Sequence, residues 1–226
     1  MALRGPVSFA YYRGSRLNTA PSVEPVTAEE LRTQLRADVI DLPDSVADDY
    51  IEEARQEIED QTGLAMINQT WQLTLDAWPR YQKDVWWQGV RQGSMTSLDG
   101  GHADVSLPRY PLSSITSITT YDEDGASTAV TVADVFDVDT QQMPGRITLS
   151  VGQTWPVATQ ANNAIEIVYV SGYGAAASNV PAPLKRAVRS LAAYLYSHRG
   201  DNCEVGDAYI KSGAGATCVK YKARLI

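Results

Sequence analysis

The 226-residue chain, 44% hydrophobic and 20% charged, is long enough for one large domain or two small ones around a true core. Its formal charge of -8 is divided unevenly: residues 1–43 are neutral, residues 44–62 hold eight acids against Arg55, residues 63–180 carry -6, and residues 181–226 carry +5. This balance excludes a grip on nucleic acid through a clustered basic face; Cys203 and Cys218 alone exclude a disulfide framework or zinc site, and no apolar run reaches the roughly 18 residues of a membrane-spanning helix.

Residues 1–26 contain Pro6, Pro21 and Pro25 with Gly5 and Gly14 and show no sustained periodicity, so an extended N-terminal arm is expected. They also lack the apolar run of a signal peptide, and secretion is not expected. Thr27-Ala28-Glu29-Glu30 has the spacing of a capping box ahead of Leu31 and Leu35, which predicts a helix over residues 27–37. Val46, Tyr50, Ile51, Ala54 and Ile58 recur at helical spacing and predict a second helix over residues 44–62, stopped by Gly63.

From residue 64 to 174 the period changes. Trp71, Leu73 and Leu75 alternate with polar partners, as do Ile165, Ile167 and Tyr169, and turns are marked by Asp124-Gly125, Pro144-Gly145 and Asn162-Asn163. The pattern predicts an antiparallel β domain of about six strands. A third helix over residues 181–199 follows Pro181 and Pro183, carries Leu184, Ala187, Val188, Leu191 and Leu195 as its apolar stripe, and ends at Gly200. Residues 201–226 return to Gly and Ala at Ser212-Gly-Ala-Gly-Ala216 and finish basic, so a second arm is expected there. The order implies an α+β fold: a small helical bundle (residues 27–63 with 178–200) bearing an inserted antiparallel β domain (residues 64–177), because helices on both sides of the insertion must meet to bury their stripes.

Catalytic signatures are missing. His102 and His198 lie beside no nucleophile motif, Gly213-Ala-Gly215 lacks the Lys-Ser/Thr of a phosphate loop, and Asp122-Glu-Asp124-Gly125 lacks the third carboxylate and downstream Glu of a calcium loop, leaving a hairpin turn. No catalytic, cofactor or metal-binding residue is expected. Two alternatives remain open at this level. Asp137 and Asp139 fall on one strand face and could act as the paired carboxylates of a hydrolase, although such pairs normally flank a cleft from separate elements. Trp86 and Trp87, in the loop from Lys83 to Ala103, fit a carbohydrate-binding platform or an aromatic contact with another protein.

Several stretches acquire meaning in order: Glu24-Pro-Val-Thr-Ala-Glu-Glu-Leu-Arg-Thr-Gln-Leu-Arg36, Tyr50-Ile-Glu-Glu-Ala-Arg55, Glu59-Asp-Gln-Thr-Gly63 and Asn68-Gln-Thr-Trp-Gln-Leu-Thr-Leu-Asp76. Leu107-Pro-Arg-Tyr-Pro-Leu-Ser-Ser-Ile-Thr-Ser-Ile118, Tyr121-Asp-Glu-Asp-Gly125, Gly152-Gln-Thr-Trp-Pro156, Gly172-Tyr-Gly174 and Val180-Pro-Ala-Pro-Leu-Lys185 continue the series. Together, over about residues 19–200, they resemble the head-to-tail connector (adaptor, head completion) family of long-tailed double-stranded DNA phages and gene transfer agents. The chain departs from the family pattern in the arm at residues 1–18, the long loop near residues 83–103 and the lack of a compact C-terminal ending.

The resemblance implies a non-enzymatic subunit of a homo-oligomeric ring, commonly twelvefold, in the virion neck. It would dock on the portal protein, offer its far side to the tail or a stopper protein, and pass DNA through its bore without sequence-specific binding or membrane contact. Within that frame, Asp48, Asp49, Glu52, Glu53 and Glu57 are the expected channel-facing residues, where like charge stops DNA from sticking. Tyr209, Lys220, Tyr221, Lys222 and Arg224 in the C-terminal arm, with Trp86 and Trp87, are the expected contacts with the portal or a neighbouring subunit.

Overall fold

Thr27 caps the first helix in both directions: its Oγ1 accepts from the Glu30 N–H at 3.2 Å, and its own N–H donates to Glu30 Oε2 at 3.2 Å. A computed structural model describes residues 13–79, 85–87, 90–92, 104–200 and 205–222 of the chain. Helix α1 (Ala28–Leu35) stops short of residue 37 because Arg36 turns left-handed at φ 56°, after which Asp38 Oδ1 accepts from the N–H groups of Ile40 and Asp41. Helix α2 (Asp44–Thr62) has the predicted bounds, ending where Gly63, at φ 80°, donates its N–H to the Glu59 carbonyl at 2.8 Å.

Strands β1 (Arg13–Thr19), β2 (Gln69–Leu75), β6 (Leu112–Tyr121), β7 (Ser127–Val130) and β10 (Ile165–Ser171) form one antiparallel sheet in the order β1-β2-β10-β6-β7. A second antiparallel sheet orders β5 (Asp104–Ser106), β9 (Arg146–Leu149) and β8 (Phe136–Asp139) as β5-β9-β8, with the one-turn helix α3 (Val132–Val135) leading into β8. Trp71, Leu73, Ile118, Ile165, Ile167 and Tyr169 of the first sheet bury themselves against Val105, Phe136 and Ile147 of the second. At the edge of this core Trp155 stacks on Trp78 at 4.7 Å between ring centroids, and Trp78 donates its Nε1–H to the Pro156 carbonyl at 2.9 Å.

Helix α4 (Ala182–Ser197) carries Leu184, Ala187, Val188, Leu191 and Ala192 into a separate aliphatic core shared with Leu31, Leu42, Ile51 and Ile58. The segment leaving α2 belongs to this core as well, through Leu64, Met66 and Ile67. The fold is therefore α+β, with a helical layer made from both sides of the β insertion.

Three expectations from sequence are corrected. Residues 13–19 do not belong to an arm: they are the edge strand β1, paired with β2 from Arg13 opposite Leu75 to Thr19 opposite Thr70. Every described position from Gly14 to Ala20 is exposed, so the strand carries none of the alternating burial that would mark it in a sequence. The C-terminal segment is not an arm either. Helices α5 (Val205–Lys211) and α6 (Ala214–Cys218) and a short 3-10 turn (Val219–Tyr221) fold onto the helical core by burying Ala208, Ala214 and Cys218, with Gly213 at φ 77° making the bend between them. Finally, the loop from Lys83 to Ala103 contains a small hairpin of β3 (Val85–Trp87) and β4 (Val90–Gln92). Residues 1–12, the rest of that loop including His102, Cys203 and Arg224 lie outside the described residues, as do the side chains of Trp86 and Trp87.

Candidate interaction surfaces

The carboxylates that sequence offers for catalysis are occupied with local contacts of the β domain, and His198 with the end of α4. Asp139 Oδ1 accepts from the Gln141 N–H at 3.0 Å and Oδ2 from Arg146 Nε at 3.3 Å; the Gln141 N–H chiefly, with Arg146, holds its carboxyl below the usual carboxylate value. Asp137, two residues away on β8, takes the Ser150 hydroxyl at 3.0 Å. The two carboxylates stand on one short strand rather than across a cleft. Asp122 closes the β6–β7 turn, its Oδ1 accepting from the N–H groups of Asp124 and Ala126. His198 stacks on Tyr194 at 3.9 Å, its Nδ1 lying 2.8 Å from the Tyr194 carbonyl at the end of α4. Among the described residues no group of three or more His, Cys, Asp or Glu is placed to hold a metal.

One polar cluster escapes a sequence reading, and it ties the helical layer to the β domain. Glu59, buried on α2, accepts at Oε1 from the Met66 N–H and Gln69 Nε2, both at 2.7 Å, and at Oε2 from Arg55 Nη1 at 2.9 Å. Arg55 Nε also donates to Glu24 Oε2 at 2.8 Å. Arg109 reaches back from the β domain to the Glu59 carbonyl at 2.8 Å and the Asp60 carboxylate at 2.6 Å while lying over the Trp71 ring. Burial raises the Glu24 carboxyl above its ordinary value, with Arg55 pulling the other way. Burial also works against the Arg55 charge, but Glu24 and Glu59 together outweigh it and raise its pKa. The available signal was the four-residue step from Arg55 to Glu59 and the position of Arg55 as the one base among eight acids.

The solvent-facing surface of α2, beginning beside this cluster, is acidic. Asp48, Asp49, Glu52 and Glu53 are exposed and Glu57 is half-buried. Glu52 is 3.6 Å from Arg55 and accepts from Gln56, and Glu57 accepts from Gln61. Asp48, Asp49 and Glu53 have no basic partner among the described residues. Three exposed carboxylates with no counter-ion among the described residues make this surface negative.

A basic groove runs between α4 and α6, lined by Pro183, Arg186, Arg189, Ala216, Thr217 and Lys220. Arg186 and Lys220 are exposed, and Arg189 is half-buried with its Nε shielded from solvent and without an acceptor. Lys220 lies over the Tyr221 ring at 5.0 Å. Of the other C-terminal residues singled out from sequence, Tyr221 packs against the helical core, Lys222 is exposed, and Tyr209 is half-buried beside Cys218. Burial first, and Cys218 next, push the Tyr209 phenol up to about 12; burial raises the Cys218 thiol as well.

No family model matches the chain, and no curated protein matches it in sequence. Solved structures do match it. A chain in the neck of an empty gene transfer agent particle, computed with C6 symmetry, is similar at a TM-score of 0.66 and 21% identity over 94% of this chain and 97% of that one. A chain of the virion of the native gene transfer agent particle gives 0.65 and 23% over 94% and 97%, and one in the neck of the native particle computed with C12 symmetry gives 0.60 and 22% over 93% and 97%. At these identities the likeness defines architecture, and it runs almost from end to end of both chains: this protein has the fold of those gene transfer agent particle chains.

Proposed function

We propose that the protein is a structural, non-catalytic subunit of a virion neck, forming a ring that joins a portal to a tail or stopper protein and gives DNA a passage. The observation that carries this reading is the nearly complete two-way coverage of a chain from a gene transfer agent neck, 94% here and 97% there. It is supported by the ordered run of motifs shared with head-to-tail connectors and by the structural employment of every carboxylate and described histidine that sequence had offered for catalysis. A likeness to a neck computed with C12 symmetry favours a twelvefold ring.

Tyr209, Lys220, Tyr221 and Lys222 fold onto the helical layer, so contact with the portal or a neighbour would be made by a formed surface rather than by an arm that folds on binding. Depleting the protein from a particle-producing cell tests the reading. DNA-filled heads without attached tails are expected, with tails restored by supplying the chain. Normally tailed particles from the depleted cells would overturn it.

A further inference from the structure

The protein carries two oppositely charged surfaces that find little counter-charge among the described residues, the 3.6 Å approach of Arg55 to Glu52 being the one ion pair on the acidic side. On α2, Asp49 and Glu53 stand one helical turn apart on an exposed face with Asp48 and Glu52, and like charges at that spacing repel. Between α4 and α6, Arg186 and Arg189 stand without an acid among the described residues, joined by Lys220. The groove opens at the first turns of α4, where the helix dipole adds positive potential to the side chains. Arg189 Nε is shielded there with no acceptor, a donor whose burial costs free energy until a partner oxygen arrives.

Placement decides what the partner is. Helices α2 and α4 pack together through their buried stripes, Ile51, Ala54 and Ile58 on one and Leu184, Val188 and Leu191 on the other. The acidic face of α2 and the basic face of α4 are therefore both turned away from the contact between the two helices. No ion pair joins them among the described residues. A contact between two different patches of the same chain is heterologous, and when its rotation closes it makes a ring.

We infer that the groove formed by Arg186, Arg189 and Lys220 is the seat for the acidic α2 face of a neighbouring copy, the carboxylates of Asp49, Glu52 and Glu53 supplying the oxygens that Arg189 and its neighbours lack. This rests on the ring-subunit reading and gives that ring its polarity. Flanked by the small side chains of Ala216 and Thr217, the groove leaves room for a helix face to approach the guanidinium groups. Most of the attraction between such surfaces is salt-dependent, so the ring should assemble readily at low ionic strength and loosen as salt rises.

The test is self-association of the full chain by sedimentation equilibrium at low and high salt. Wild type should associate at low salt. Arg186→Glu with Arg189→Glu, and separately Asp49→Lys with Glu53→Lys, should each weaken association by roughly tenfold or more, and all four changes in one chain should recover most of the loss. In parallel, a carbodiimide should join Lys220 to Asp49, Glu52 or Glu53 in wild type, between labelled and unlabelled copies of a mixed sample; this covers a variant that fails to fold.

A monomeric wild type at low salt, charge variants that associate normally, or cross-links confined within one copy would each overturn the inference. So would an Asp49→Lys, Glu53→Lys chain that associates normally while changing only the passage or retention of DNA, the result that bore-facing carboxylates predict. Normal neck incorporation of both charge variants would remove this interface and leave the neck function standing. Salt-sensitive, swap-rescued association of a protein absent from the neck would do the reverse.

Discussion

The helical layer and the β domain bury their interiors by different means. The helical core is aliphatic, built from Leu31, Leu42, Ile51, Ile58, Leu184 and Leu191, whereas the β core is rich in rings, with Trp71, Trp78, Phe136 and Tyr169. Neither interior specifies how the two parts meet, since apolar packing tolerates many arrangements of similar volume. The junction does. Arg55, Glu59, Thr62, Gln69 and Ser171 are all buried there, and their hydrogen bonds run between α2, the chain leaving it and the strands. Directional bonds in a shielded place fix orientation in a way that side-chain volume cannot.

The largest effect should come from breaking that junction. Glu59→Ala removes the buried partner of Arg55, leaving it Glu24 and the exposed Glu52, and strands the Met66 N–H and Gln69 amide, at a cost of about 3–5 kcal/mol. Thermal unfolding followed by near-ultraviolet circular dichroism should show both parts destabilised together. A loss confined to one part would mean that the junction does not couple them. Gly172→Ala comes next. Gly172, at φ 150°, links β10 to the helical layer, and an added Cβ would lie 2.5 Å from the Asn68 nitrogen. Overpacking against backbone should cost about 1–3 kcal/mol. Gly125→Ala, in an open turn at φ 79° with nothing within 4 Å of the added carbon, should cost less, about 1 kcal/mol. Equal costs in denaturant titrations would remove close approach as the reason for a glycine at 172.

Sequence legibility follows the same division. Helices α2 and α4 are long and have one continuous buried stripe each, so their periodicity shows without a structure. Helices α5 and α6 are too short to be stable alone and contain Gly206 and Gly215; only docking of Ala208, Ala214 and Cys218 makes them helical, and docking leaves no local periodicity. Strand β1 is hidden for a related reason, since both of its faces are exposed and its order comes from pairing with β2. Charge counting found the acidic face of α2 and the basic C-terminal region. It did not separate Glu59, which is buried and bonded, from Glu53, which is free, because the difference between them is a matter of which side of the helix meets the strands.

The smallest expected effect probes the docked C-terminal helices against the rest. Burial raises the Cys218 thiol from its ordinary 9.0, so the folded chain holds this proton more tightly than the unfolded one. The resulting stability is complete below the unfolded value and is lost as pH rises through the folded one, so the unfolding free energy should fall above about pH 9. Tyr209, pushed up to about 12 and in contact with Cys218, would extend the loss to higher pH in the same direction. Cys218→Ala removes the thiol and flattens the first part of the decline, at the cost of a lower starting stability from the small cavity. If α5 and α6 are docked as a separable unit, hydrogen exchange in residues 205–222 should accelerate over that pH range beyond the general base-catalysed rise, while protection in β2 and β10 follows the general rise alone. Matching changes in both would show that the C-terminal helices unfold only with the whole molecule, and the line between docked element and core would then run elsewhere.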